Sequence, residues 1–136
     1  MSTAAQTYAQ REGGSLQART GFTQLVSLTM TAGATVSGQM NLPAGSWLDA
    51  VKLETPAAFS GAPTNVNVRV GSAAAGQQVV ADVDAKAQGH IAATIVSTLD
   101  AVGGAPTVLY FQAAAVGGTS PAGTVNVLVH YRPPVV

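Results

Sequence analysis

Cysteine is absent. That removes disulfide frameworks, thiolate nucleophiles, iron–sulfur clusters and cysteine zinc sites together. Charge is nearly as scarce: Asp, Glu, Lys and Arg make up 9% of the chain, against about 25% in an ordinary globular domain. The six acids balance the six bases, so there is neither a basic field for nucleic acid nor an acidic tail. Aromatics are 5%. No apolar run approaches the ~20 residues a membrane-spanning helix requires. The N-terminus has no basic stretch followed by an apolar one, so a Sec signal is not expected. Any export would have to take another route.

What remains is small and apolar. Ala and Gly fill 40 of the 136 positions, and 47% of the residues are hydrophobic, which excludes a disordered chain. The length suits one domain that folds without covalent staples. A weakly charged surface with net charge zero gives little colloidal repulsion, so the chain is expected to associate.

Residues 1–21 stand apart. They are rich in Ala, Gln, Thr, Ser and Gly, contain Gly13-Gly14, and read as an extended arm. From Phe22 the pattern turns to period two. Gln24–Met30 sets Val26, Leu28 and Met30 against Ser27 and Thr29. Thr35–Leu42 sets Val36, Met40 and Leu42 against Thr35, Ser37, Gln39 and Asn41. These predict two half-buried antiparallel strands with a short connection. Trp47–Thr55 is predicted to face Trp47, Val51 and Leu53 inward. Asn65–Val70, Gln77–Val83, His90–Val96, Thr107–Ala113 and Thr124–Tyr131 follow, separated by Gly- and Pro-rich turns. About eight strands without a helix predict an all-β antiparallel β-sandwich over 22–136, jelly-roll-like, with residues 1–21 as the arm.

Chemistry-bearing constellations are sparse. His90 and His130 lack carboxylates at a ligand spacing. Asp82 and Asp84 share a strand face, but no Glu closes a calcium loop. Asp49 and Glu54 sit at odd separation, which places them on opposite faces of a regular strand. There is no nucleophile elbow and no phosphate-cradling glycine motif. No catalytic residue, metal or cofactor is expected. Trp47 and Tyr131 read as core anchors with polar tips at the surface.

Four segments carry a resemblance. They are Met40–Phe59 with its Leu-Pro-Ala-Gly turn, Thr64–Gly71 ending Val-Arg-Val-Gly, Asp82–Gly89, and the closing Gly123-Thr-Val-Asn-Val-Leu-Val-His-Tyr131. Over about residues 35–131 the chain resembles small structural proteins of tailed bacteriophages. The resemblance implies a virion role, as a head decoration (cement) protein on the capsid surface, made in the host cytoplasm. It also implies a major-capsid-protein partner and self-association as a homotrimer, without nucleic acid or membrane. The alternative is a head-fibre or tail-associated module that binds a receptor or carbohydrate. For the arm, Tyr8, Arg11, Arg19 and Phe22 are the expected partner anchors, because Tyr and Arg dominate interface hot spots.

Overall fold

A computed structural model describes residues 21–96 and 107–132. They form eight strands: β1 (Phe22–Met30), β2 (Val36–Leu42), β3 (Trp47–Thr55), β4 (Asn65–Gly71), β5 (Val80–Asp84), β6 (Gly89–Ala93), β7 (Thr107–Val116) and β8 (Gly123–Arg132). One sheet has the order β1-β8-β3-β6 and the other β2-β7-β4-β5, with every pairing antiparallel. The first strand pairs with the eighth, the second with the seventh, the third with the sixth and the fourth with the fifth. That nested order is a jelly roll: one long hairpin of four strand pairs, wrapped so that alternate pairs fall in alternate sheets. The connection Thr31–Thr35 therefore makes no hairpin. It carries the chain from one sheet to the other.

Alternation places the core. Val125, Val127 and Val129 of β8 face Val66, Val68 and Val70 of β4 and Leu109, Phe111 and Ala113 of β7 across the sandwich, all buried. The outer sides of the same strands carry Asn126, His130, Asn67, Arg69 and Gln112. Val26, Leu28 and Met30 point inward from β1, as their spacing requires. Gly38 of β2 has no side chain where one would meet Val26 Cγ1 at 3.0 Å and Leu28 Cδ2 at 3.2 Å. Its absence lets the two edge strands close one flank of the sandwich. At the opposite end from Phe22, Phe59 lies against Gly123, where any Cβ would sit 2.8 Å from the ring. Phe59 caps that end of the core.

Two strands are shorter or shifted relative to expectation. β5 begins at Val80 rather than Gln77, because Gln77 and Gln78 turn their side-chain carbonyls to backbone donors: Asp82 N–H (3.0 Å) and Ser72 N–H (3.1 Å). β6 stops at Ala93, and Val96 N–H goes to Val79 O at 2.7 Å instead of continuing the ladder.

The larger departure is in β3. A register shift between Leu48 and Ala50 marks a β-bulge. An extra residue in a strand reverses which side chains face inward. Leu48 and Val51 are both buried, although three positions apart, and Trp47 is turned out, 50% exposed. Trp47 is thus not a core anchor. Asp49 and Glu54 are not on opposite faces either: both carboxylates bond to residues of the outer row of β8, Asp49 to Arg132 and Glu54 to Asn126. Tyr131 is half-buried and packs against the core.

A polar row ties the first sheet together on its outer side. Ser27 Oγ donates to Asn126 Oδ1 (2.7 Å), Asn126 Nδ2 donates to Glu54 Oε1 (3.2 Å), and Glu54 Oε2 lies 3.3 Å from His90 Nε2. The four residues come from β1, β8, β3 and β6, so the row crosses every strand of the sheet.

The inward and outward faces differ sharply in what they contribute. Leu53→Ala, in the centre of β3, is expected to lower unfolding stability by about 2–5 kcal/mol in urea titration, because the cavity cannot be refilled. Leu25→Ala, on the outer face, should stay within about 0.5 kcal/mol of the parent.

Candidate functional site

The described residues leave five large hydrophobic side chains well exposed, and three of them, Phe22, Leu25 and Trp47, belong to the same end of the first sheet. The reason is local. β1 pairs with β8 along its whole length, yet its first four residues are exposed, including Phe22 and Gln24 on the inward side. The strand overhangs the core there. The bulge in β3 adds Trp47 to the same end, opposite Arg132 of β8.

Two separate contacts are made here, one on each side of the sheet. The Phe22 ring meets Tyr131 edge-on, with centroids 6.0 Å apart and planes at 62°, a favoured aromatic geometry. Arg132 carries its guanidinium carbon 5.9 Å from the Trp47 ring centroid. It is fixed there by both oxygens of Asp49, with Arg132 Nε at 3.0 Å from Oδ2 and Nη2 at 3.0 Å from Oδ1. The bidentate fork sets the plane of the guanidinium and so its stacking on the indole. Just before β1, Gly21 takes φ +89°, and a Cβ there would lie 2.9 Å from Tyr131 O. Only glycine allows the chain to turn onto β1 at that distance.

This surface is open and offers no converging carboxylates or nucleophile. Its outer side offers the Trp47 ring, a guanidinium fixed by Asp49, and the apolar row of Leu25 and half-buried Leu128, which face each other in the β1–β8 register. Phe22 stands at the same end on the inward side. Aromatic rings and Arg are enriched in protein-binding hot spots.

Of the expected arm anchors, the structure places Phe22 in this cluster. Tyr8, Arg11 and Arg19 lie outside the described residues. The other candidates are already occupied structurally. Asp82 takes both Nε and Nη2 of Arg69 at 2.7 Å. Asp84 Oδ1 accepts from the backbone N–H groups of Val66 (3.0 Å) and Lys86 (3.1 Å). His130 Nδ1 is 2.7 Å from Thr23 Oγ1, while His90 is at the end of the polar row. Among the described residues, no three His, Cys, Asp or Glu side chains gather as a metal site.

Arg132 and Leu25 were not legible as site residues, and the core reading of Trp47 outweighed its reading as a ring for stacking on sugar. For Trp47 a signal existed: Leu48 and Val51 can both be buried only if the strand is bulged, and the bulge turns Trp47 outward.

No family model matches the sequence, and no curated protein matches it. Solved structures do match. A chain of the capsid asymmetric unit of cyanophage Pam1 superposes with a TM-score of 0.55 at 20% identity, over 84% of this chain and 86% of that one. A chain of the capsid of Ralstonia phage GP4 does so with a TM-score of 0.55 at 15% identity, over 85% and 86%. This sandwich shares its fold with those two chains. The likeness runs over most of both partners, so the matched chains are about the size of this one, and the fold makes up most of each.

The exposure of Trp47 has a direct consequence for stability. Trp47→Ala is expected to cost about 1 kcal/mol or less in a urea titration, the size of a surface cation–π contact. Loss of a buried tryptophan would cost about 3–5 kcal/mol. A double-mutant cycle on Arg132 and Asp49 should give a coupling below about 1 kcal/mol, since the pair is solvent-exposed.

Proposed function

We propose that this chain is a virion structural protein of a tailed bacteriophage. In this reading it binds the outer surface of the capsid and stabilises the head as a decoration or cement protein. The observation that carries the proposal is the eight-stranded jelly roll, shared over nearly the whole chain with components of two phage capsids. The end cluster supports it from a different direction. A low-charge sandwich with Phe22, Trp47 and Arg132 at one end has a surface suited to burial against another protein.

In this mechanism the rigid sandwich sits across neighbouring shell subunits. On this reading the arm of residues 1–21, together with Phe22 at the start of β1, anchors to the major capsid protein through Tyr8, Arg11, Arg19 and Phe22, adding a strand to an exposed sheet edge of the shell. Many weak copies acting together then brace the shell by multivalent contact.

A second reading has one observation in its favour. Trp47 is exposed beside the Pro43–Gly45 turn, the position at which a head-fibre or tail-associated module would stack a sugar ring. In that case Trp47→Ala removes glycan binding from the isolated protein. On the decoration reading a glycan screen is blank.

Immunogold electron microscopy of the parent particles should put label evenly over the head. A chain lacking residues 2–20 should keep its unfolding midpoint but fail to occupy particles stripped of the native protein. Label confined to the tail or to fibre tips would overturn the decoration reading, and full occupancy by the shortened chain would remove the arm's role.

A further inference from the structure

The two flanks of the sandwich are built differently. On one flank the edge strands are β5 and β6, five residues each. They carry Asp82, Asp84 and His90, and Lys86 follows in the connection between them. Short length and charge are how a sheet prevents foreign strands from pairing with its edge. On the other flank are β1 and β2, nine and seven residues long, with no charged residue and no proline in either. Nothing in these two strands blocks pairing.

Of the two, β2 is the more open. On β1 the outward hydroxyls of Thr23, Ser27 and Thr29 are turned to partners on β8, at 2.7 Å to His130, 2.7 Å to Asn126 and 3.1 Å to Thr124. On β2 the outward row is Ser37, Gln39 and Asn41. All three are exposed, and none makes a side-chain hydrogen bond among the described residues. The hydrogen-bonded neighbour of β2 among those residues is β7, on one side only. Gln39 stands at the middle of the strand, opposite half-buried Tyr110 of β7.

The geometry points to antiparallel pairing of β2 with β2 of a second copy, about a two-fold axis at Gln39. A two-fold maps an antiparallel strand onto itself reversed. Gln39 then faces Gln39 of the partner subunit, and Ser37 and Asn41 each face the other's counterpart. A charge on the axis would face its own copy directly, which disfavours such pairing. Here each facing position is a neutral amide or hydroxyl that both donates and accepts. The chain's net charge of zero adds no long-range repulsion.

The pairing would make one continuous sheet in the order β5-β4-β7-β2-β2-β7-β4-β5. It covers the unblocked β2 edges and leaves the charged β5 edges outermost. Because the contact is two-fold it closes on itself and stops at two copies. The inference stands on the edge alone and does not depend on the virion reading. It sets a two-fold contact between copies in place of the expected homotrimer.

The test uses the full chain and sedimentation equilibrium. The parent should have about twice the 13.6 kDa chain mass. Gln39→Lys and Gln39→Glu should each halve that mass, since each puts like charges face to face on the axis. An equimolar mixture of the two variants should restore the doubled mass, because ammonium then faces carboxylate. That restoration also shows that both variants are folded. A parent that stays monomeric at its highest soluble concentration overturns the inference. So does a trimer, a dimer indifferent to both substitutions, or a mixture that fails to re-associate.

Discussion

The pairing of β1 with β8 is the constraint on which the rest of the molecule depends. It joins residues about a hundred positions apart, in register from Phe22–Tyr131 to Met30–Gly123. β8 then lies between β1 and β3 and lends both of its edges to the first sheet. β7 does the same for β4 and β2 in the second. Removing the last two strands would therefore leave both sheets without a centre. Three of the four nested pairs close loops of tens of residues before gaining their contacts. A fold so rich in non-local contacts belongs with slow-folding β-sandwiches.

Much of this was legible from alternation. The eight strands, their order along the chain and most inward positions follow from Val, Leu and Met recurring at every second residue between Gly- and Pro-rich turns. Sheet membership was not legible. The spacing of Gln24–Met30 and Thr35–Leu42 fits a hairpin as well as a crossover, and the two strands lie in opposite sheets. The bulge at Leu48–Ala50 escaped for a related reason. A period-two template favours Trp47 as an inward residue by size, whereas Leu48 and Val51 fill the space already. The surface cluster was hidden with it. Arg132 and Asp49 are far apart in sequence and unremarkable singly, and they become a pair only because β3 and β8 are neighbours. Phe22, expected among the arm anchors, is the first residue of β1 and meets Tyr131.

Scarce charge has been spent on the side of the fold where register is weakest. β5 is short and its pairing with β4 shifts between Val68 and Val70. Arg69 clamps Asp82 across that ladder with two bonds of 2.7 Å. Asp84 holds the N–H groups of Val66 and Lys86, and Lys86 Nζ also reaches Thr64 O at 2.5 Å. Exposed ion pairs contribute little to stability, so the value of these groups is geometric. They fix the register of a short edge strand and at the same time make that edge unattractive to other strands.

The opposite flank follows the reverse logic. β1 and β2 are long, and their register is set by packing rather than by charge: Val26 and Leu28 close over Gly38, and Ser27, Thr29 and Thr23 each bond across to β8. A strand fixed in this way needs no charged clamp, and its free edge keeps a uniform neutral surface. The Phe22 end of the same flank carries the overhanging start of β1. The Trp47–Arg132 contact lies at the same end of the first sheet, on β3 and β8. A charged, short edge refuses a foreign strand and a long neutral one does not, and the eight charged residues among the described ones include none in β1 or β2.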